Sequence, residues 1–149
     1  MATHLAHVAI GVKDMERSLA LYRDILGFEV ISEFAAEGEQ LEMMVNLGRA
    51  KVRIALLQQD DSTIELCQYL SPVGRGHKDF RQCDQGLIHF ALITDQFDSI
   101  VGKLRGDDGG EYRFFSDPVD LGIIEGIGEV RAFYFYGPDH EVIELLDVS

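Results

Sequence analysis

Basic residues are scarce in this chain: 13 Lys and Arg stand against 26 Asp and Glu, a formal net charge of −13. A nucleic-acid partner needs a basic footprint to neutralise phosphates, so that class of function is excluded. A local cluster could still hold a small anion. The one such cluster is Arg75, His77, Lys78 and Arg81, which reads as a solvated loop. Cysteine is scarce too. Cys67 and Cys83 make neither a CxxC motif nor a disulfide framework, which points to a reducing cytoplasm. Cys67 reads as a small hydrophobe in a strand. Long apolar runs are missing, with nothing near the roughly 18 residues of a membrane span. Met1-Ala-Thr-His4 lacks the charged-then-apolar form of a signal peptide, so the expectation is a cytoplasmic protein with no membrane partner. The hydrophobic fraction of 46% over 149 residues suffices for one compact domain or two small modules sharing a core.

What is present is a repeated order of elements. Leu5 to Val12 reads as a strand, with Leu5, His7, Ala9 and Gly11 on one face and Ala6, Val8, Ile10 and Val12 on a core face. Asp14 is an N-cap for a helix whose apolar face is Met15, Leu19, Tyr22, Ile25 and Leu26, and Gly27 stops it. Phe28 to Phe34 reads as a strand, and Glu37 to Gly48 is ambiguous between helical turn and strand. Lys51 to Leu57 and Thr63 to Tyr69 read as strands around a turn at Asp60-Asp61-Ser62. Residues 71–85, with Pro72, Gly74 and Gly76, read as a linker between a module at 1–70 and one at 86–149. The second module opens with a strand carrying Leu87, His89, Ala91 and Ile93. Asp95 is the expected cap of a helix with Asp98 in its first turn, Phe97, Ile100, Val101 and Leu104 on its apolar face, and Gly106 at its end. Asp107 to Gly110 reads as a polar turn. Tyr112 to Phe115 and Val119 to Ile124 follow as weak strands. Glu129 to Tyr136 is a strong strand, Gly137-Pro-Asp-His140 a turn, and Glu141 to Val148 a last strand. Gly122 to Gly128 reads as a flexible connection without a phosphate-loop pattern.

Each module therefore opens on a histidine strand and closes on a glutamate strand. The His7-to-Glu65 and His89-to-Glu144 intervals are 58 and 55 residues. A carboxylate within an apolar strand is costly to bury unless it is paired or bound to a metal. Two imidazoles and two carboxylates make a donor set suited to nickel, zinc, cobalt, manganese or iron. His7, Glu65, His89 and Glu144 are the expected ligands of one divalent ion.

The segments His7-Val-Ala-Ile-Gly-Val-Lys-Asp14, Leu21-Tyr-Arg-Asp-Ile-Leu-Gly-Phe28, Gly86-Leu-Ile-His89-Phe-Ala-Leu92 and Gly137-Pro-Asp-His-Glu-Val-Ile-Glu144-Leu145 resemble the vicinal oxygen chelate superfamily. It includes glyoxalase I, methylmalonyl-CoA epimerase, extradiol dioxygenases and the fosfomycin and bleomycin resistance proteins. The resemblance implies an α+β fold of two tandem βαβββ modules, forming a cupped mixed sheet around a metal, often in a homodimer. Its two-module metal pattern falls on His7, Glu65, His89 and Glu144. It implies a metal-dependent isomerase, epimerase or lyase that stabilises an enolate or oxyanion of a small carbonyl substrate, with Glu65 or Glu144 as the base.

Gly11 and Val12 stand where glyoxalase I has its glutathione-contacting arginine, and Tyr69 where it has an asparagine, which argues against a glutathione hemithioacetal. Glu42 lies where epimerases can place a base, but Glu65 stands where they usually have glutamine; Glu42 reads as solvent-facing. One alternative is an Fe(II) extradiol-type ring-cleaving dioxygenase using His7, His89 and Glu144, with Tyr134, Tyr136 or His140 near substrate. The other is a non-catalytic resistance-type binder with an aromatic groove of Tyr69, Phe114, Phe115, Phe133, Tyr134 and Phe135.

Overall fold

A computed structural model describes residues 2–77, 79–106 and 111–149. They fall into two compact units, Met1–Gly76 and His77–Ser149. Each is built on a four-stranded mixed sheet, and the two repeat one topology. The first has strand order β1-β4-β3-β2, from β1 (Val8–Gly11), β2 (Glu29–Glu37), β3 (Lys51–Gln59) and β4 (Ser62–Ser71). The second has order β5-β8-β7-β6, from β5 (Phe90–Ile93), β6 (Val119–Ile124), β7 (Gly128–Tyr136) and β8 (Val142–Val148). In both, the opening strand runs parallel to the closing one and the other pairs are antiparallel. The expected α+β class holds.

Alternation along the strands decides which face is core. In the first unit Ile10, Ala55, Leu57, Ile64 and Leu66 are buried, and the helix after β1 supplies Met15, Leu19, Leu21 and Tyr22. That helix starts as α1 (Met15–Leu19), with the Asp14 carboxylate accepting the Arg17 N–H at 3.3 Å. It then continues as a π-helix over Ala20–Ile25, where the Leu26 N–H reaches the Leu21 carbonyl. Consecutive Leu21 and Tyr22 are both fully buried there. Gly27, at φ +85°, ends it as expected.

The ambiguous stretch resolves as α2 (Glu39–Val45), closed by Asn46 in the left-handed conformation. In the second unit α3 (Phe97–Arg105) buries Phe97, Ile100, Val101 and Leu104 and ends at Gly106. Arg131 anchors that helix, pairing with Asp147 at 2.7 Å and Asp98 at 3.2 Å while its guanidinium lies over the Phe97 ring.

Several expectations are corrected. Both opening strands are shorter than their apolar patterns, since β1 and β5 begin one residue after His7 and His89. Asp95 does not cap α3. Gln96 occupies that position, and the Thr94 hydroxyl accepts the Gln96 N–H at 3.0 Å. Tyr112 to Phe115 forms no strand, only an isolated bridge from Phe114 to Phe135. Gly122 to Gly128 is no free connection, because its first half lies in β6 and the rest is a hairpin turn closed by Ile127 N–H to Ile124 carbonyl. The turn expected at Asp107 to Gly110 lies outside the described residues. No helix among the described residues is long and apolar enough to cross a membrane.

Candidate metal-ligand faces

In the first unit the parallel register sets Ala9 beside Glu65. His7, two residues before Ala9, projects to the same face, and its Nε2 lies 3.8 Å from Glu65 Oε2. The Cys67 thiol, one alternation along β4, donates to Glu65 Oε1 at 3.1 Å. Burial, reinforced by the Glu65 carboxylate, pushes the Cys67 thiol up to about 12. Tyr69 is also raised, by burial first and then by Cys67 and Glu65.

The second unit repeats this register, with Ala91 beside Glu144. His89 stands two residues before Ala91, and its Nε2 lies 3.0 Å from Glu144 Oε2. Tyr134, directly across the ladder from Glu144, places its ring edge-on to the His89 imidazole at 4.9 Å. Its hydroxyl is raised, by burial and then by the Glu144 charge. The His89–Glu144 pair is the more shielded, with side chains 23% and 16% exposed against 41% and 22% for His7 and Glu65.

Sequence reasoning missed Gln82, seven residues before His89 in the stretch read as linker. Its Oε1 lies 2.8 Å from His89 Nδ1, and its Nε2 donates to the Ile88 carbonyl at 3.1 Å. No motif announces it, because the contact depends on how residues 81–88 turn. That turn is fixed by Asp84, whose carboxylate accepts the Arg81 N–H at 2.6 Å.

Other expected residues settle elsewhere. Glu42 has its carboxylate accepting the Arg49 backbone N–H, where it closes the chain after α2. In the basic cluster, Arg81 pairs with Asp84 at 3.3 Å, Arg75 and His77 are exposed, and Lys78 lies outside the described residues. Of the expected aromatic groove, Tyr69 lies in β4 of the first sheet, and the others divide between two faces of the second. Phe114 packs with Phe133 and Phe135, on the α3 side where Phe133 meets Phe97. Phe115 packs with Tyr134 and Tyr136 on the His89 side. There Tyr136 stacks on His140 at 4.1 Å and lies under the Arg113 guanidinium at 5.3 Å.

The donor chemistry of each pair suits a divalent ion. A carboxylate oxygen only accepts, and a neutral imidazole nitrogen without hydrogen also only accepts. Two such atoms 3.0 Å apart, as in His89 and Glu144, repel unless a proton or a metal cation stands between them. Among the described residues no group of three or more His, Cys, Asp or Glu is arranged to hold a metal ion, so each unit presents a pair.

Two βαβββ units with a His and a Glu on one face of each define a class, and comparison with known proteins agrees. Residues 4–145 match the model of the Glyoxalase/Bleomycin resistance protein/Dioxygenase superfamily, and the chain belongs to that family. A glyoxalase family protein from Bacillus cereus is similar in fold at 19% identity and TM-score 0.81, over 100% of this chain and 97% of that one. A glyoxalase family protein from Enterococcus faecalis aligns at 16% identity and TM-score 0.65, over 96% of each chain. A genomically encoded fosfomycin resistance protein from Listeria monocytogenes aligns at 17% and 0.60, over 100% and 96%. No curated protein matches.

Proposed function

We propose that His7, Glu65, His89 and Glu144 together hold one divalent ion, of nickel, cobalt, zinc, manganese or iron. On this reading the protein is a metal-dependent isomerase, epimerase or lyase of glyoxalase-like type, acting on a small carbonyl compound as a cytoplasmic homodimer. The carrying observation is the repeated register: in each unit the histidine stands two residues before the alanine that faces the glutamate. Independent ion pairs have no reason to recur at one register in both halves.

When bound, such an ion supplies Lewis acidity that stabilises an enolate or oxyanion. The chain's own residues divide the remaining work. Glu144, more shielded and closer to its histidine, is suited to a fixed ligand role. Glu65 is the better base for a proton next to the carbonyl. It stands 3.8 Å from His7, and the Cys67 thiol engages only Oε1, leaving Oε2 for the proton.

Metal content after purification without chelators and under argon tests the reading, with about one ion per chain expected for one four-ligand site. Glu65→Gln should lower metal affinity about 10-fold or more. Unchanged affinity would overturn the four-ligand assignment.

The aromatic row beside His89, running through Tyr134, Phe115 and Tyr136 to His140, favours a second reading as an Fe(II) extradiol-type dioxygenase. Iron as the dominant metal, with oxygen uptake on adding a catechol, would select it. Neither enzyme reading survives if no metal binds after reconstitution, and a small-molecule binder would remain.

A further inference from the structure

We propose that Gln82 is a positioning residue that holds a hydrogen on Nδ1 of His89, so that Nε2, beside Glu144, is the nitrogen offered to a cation. The Gln82 amide has only one orientation open to it. A backbone carbonyl can only accept, so the Gln82 atom facing the Ile88 oxygen at 3.1 Å must be the NH2 group. The amide cannot turn over without losing that bond, so its oxygen faces His89 Nδ1 at 2.8 Å. An amide oxygen is only an acceptor, hence Nδ1 is the donor. Nε2, 3.0 Å from Glu144 Oε2, is then the nitrogen a cation would take in place of any proton shared with the carboxylate.

This is the arrangement a ligating histidine needs. The outer nitrogen is tied to an acceptor and the inner one is free for the cation, so the ring is oriented before any ion arrives. Among the described residues no hydrogen bond to Nδ1 of His7 does the same in the first unit. His7 is also the more exposed ring and the farther from its carboxylate. The His89–Glu144 pair is the prepared half of the donor set. Gln82 acts through His89 and has no catalytic role of its own. Its effect on an ion rests on His89 being a ligand, as proposed above, whereas its effect on the ring proton does not.

The test separates control of the ring hydrogen from simple stapling of the loop. Gln82→Met and Gln82→Glu both lose the NH2 donor to Ile88, but only glutamate keeps an acceptor for Nδ1. With Zn2+ as probe, Gln82→Met should bind about 10–100-fold more weakly than wild type and Gln82→Glu should stay within about threefold. In the metal-free wild type, long-range 1H–15N correlation of the His89 ring should show hydrogen on Nδ1.

An Nδ1 without hydrogen in that spectrum would overturn the proposal. So would equal losses in the two variants, or no loss in either. If wild type binds no divalent ion, the metal reading fails and the ring spectrum alone decides this one. The same holds if the methionine variant does not fold.

Discussion

Cys67 and Cys83 show how position sets side-chain chemistry. Cys67 is half-buried with its thiol on Glu65, and its titration is pushed up to about 12, by burial first. Cys83 is exposed. In chelator-treated protein near pH 8, a thiol reagent should modify Cys83 quickly and leave Cys67 unmodified until the chain unfolds, because the thiolate is the reacting form. The fold disfavours the Cys67 thiolate, so this contribution is intact below the ordinary thiol range and is lost as pH rises through it towards about 12. Equal labelling of both cysteines in the native state, counted by mass, would refute this.

The His and Glu positions were legible at this scale, since a polar residue inside an apolar alternation stands out. Gln82 was not, because its contact is made by a turn whose side-chain hydrogen bonds leave no period in the sequence. Nor was Glu42's role, since its partner is a backbone N–H and any residue supplies one.

Among the elements, the helices and the central strands were legible because an apolar stripe at helical or twofold spacing has few other uses. Their ends were not. Asp95 has the composition of a cap, yet the Thr94 hydroxyl takes the Gln96 N–H and the helix starts after it. The π-turn in the first helix was equally silent, since Leu21 and Tyr22 fit either an α or a π spacing.

Ser18 adds an energetic feature to that helix. It is fully buried, and its hydroxyl has no hydrogen-bond partner among the described residues. Losing such a group removes a desolvation cost and leaves only a small void. Ser18→Ala should therefore raise stability, by about 1 kcal/mol. Denaturant unfolding with an unchanged slope would measure it, and a lower midpoint would mean that the hydroxyl has a partner.

Taken whole, the chain repeats one topology with unequal charge. Residues 1–76 hold 7 basic and 11 acidic side chains, and residues 77–149 hold 6 and 15. The larger acidic excess lies in the half that also has the better-prepared His–Glu pair. A cation approaching either pair does so in a negative field, which salt screens. Apparent Zn2+ affinity should fall several-fold between about 0.02 M and about 0.2 M sodium chloride, as the Debye length shrinks from about 20 Å to below 10 Å. An affinity independent of salt in a competition titration would place the binding energy in direct coordination alone.

The reach of Gln82 back onto His89 also bears on how such halves can be exchanged or inherited. The first residue of β5 is Phe90, yet the imidazole ahead of it is tied to a residue seven positions before its own. A crossover between related genes placed at the strand would bring in a histidine without the acceptor that orients its ring. The smallest inherited piece that keeps the His89–Glu144 pair together with its glutamine starts at Gln82, early in the second unit, and runs on through β8.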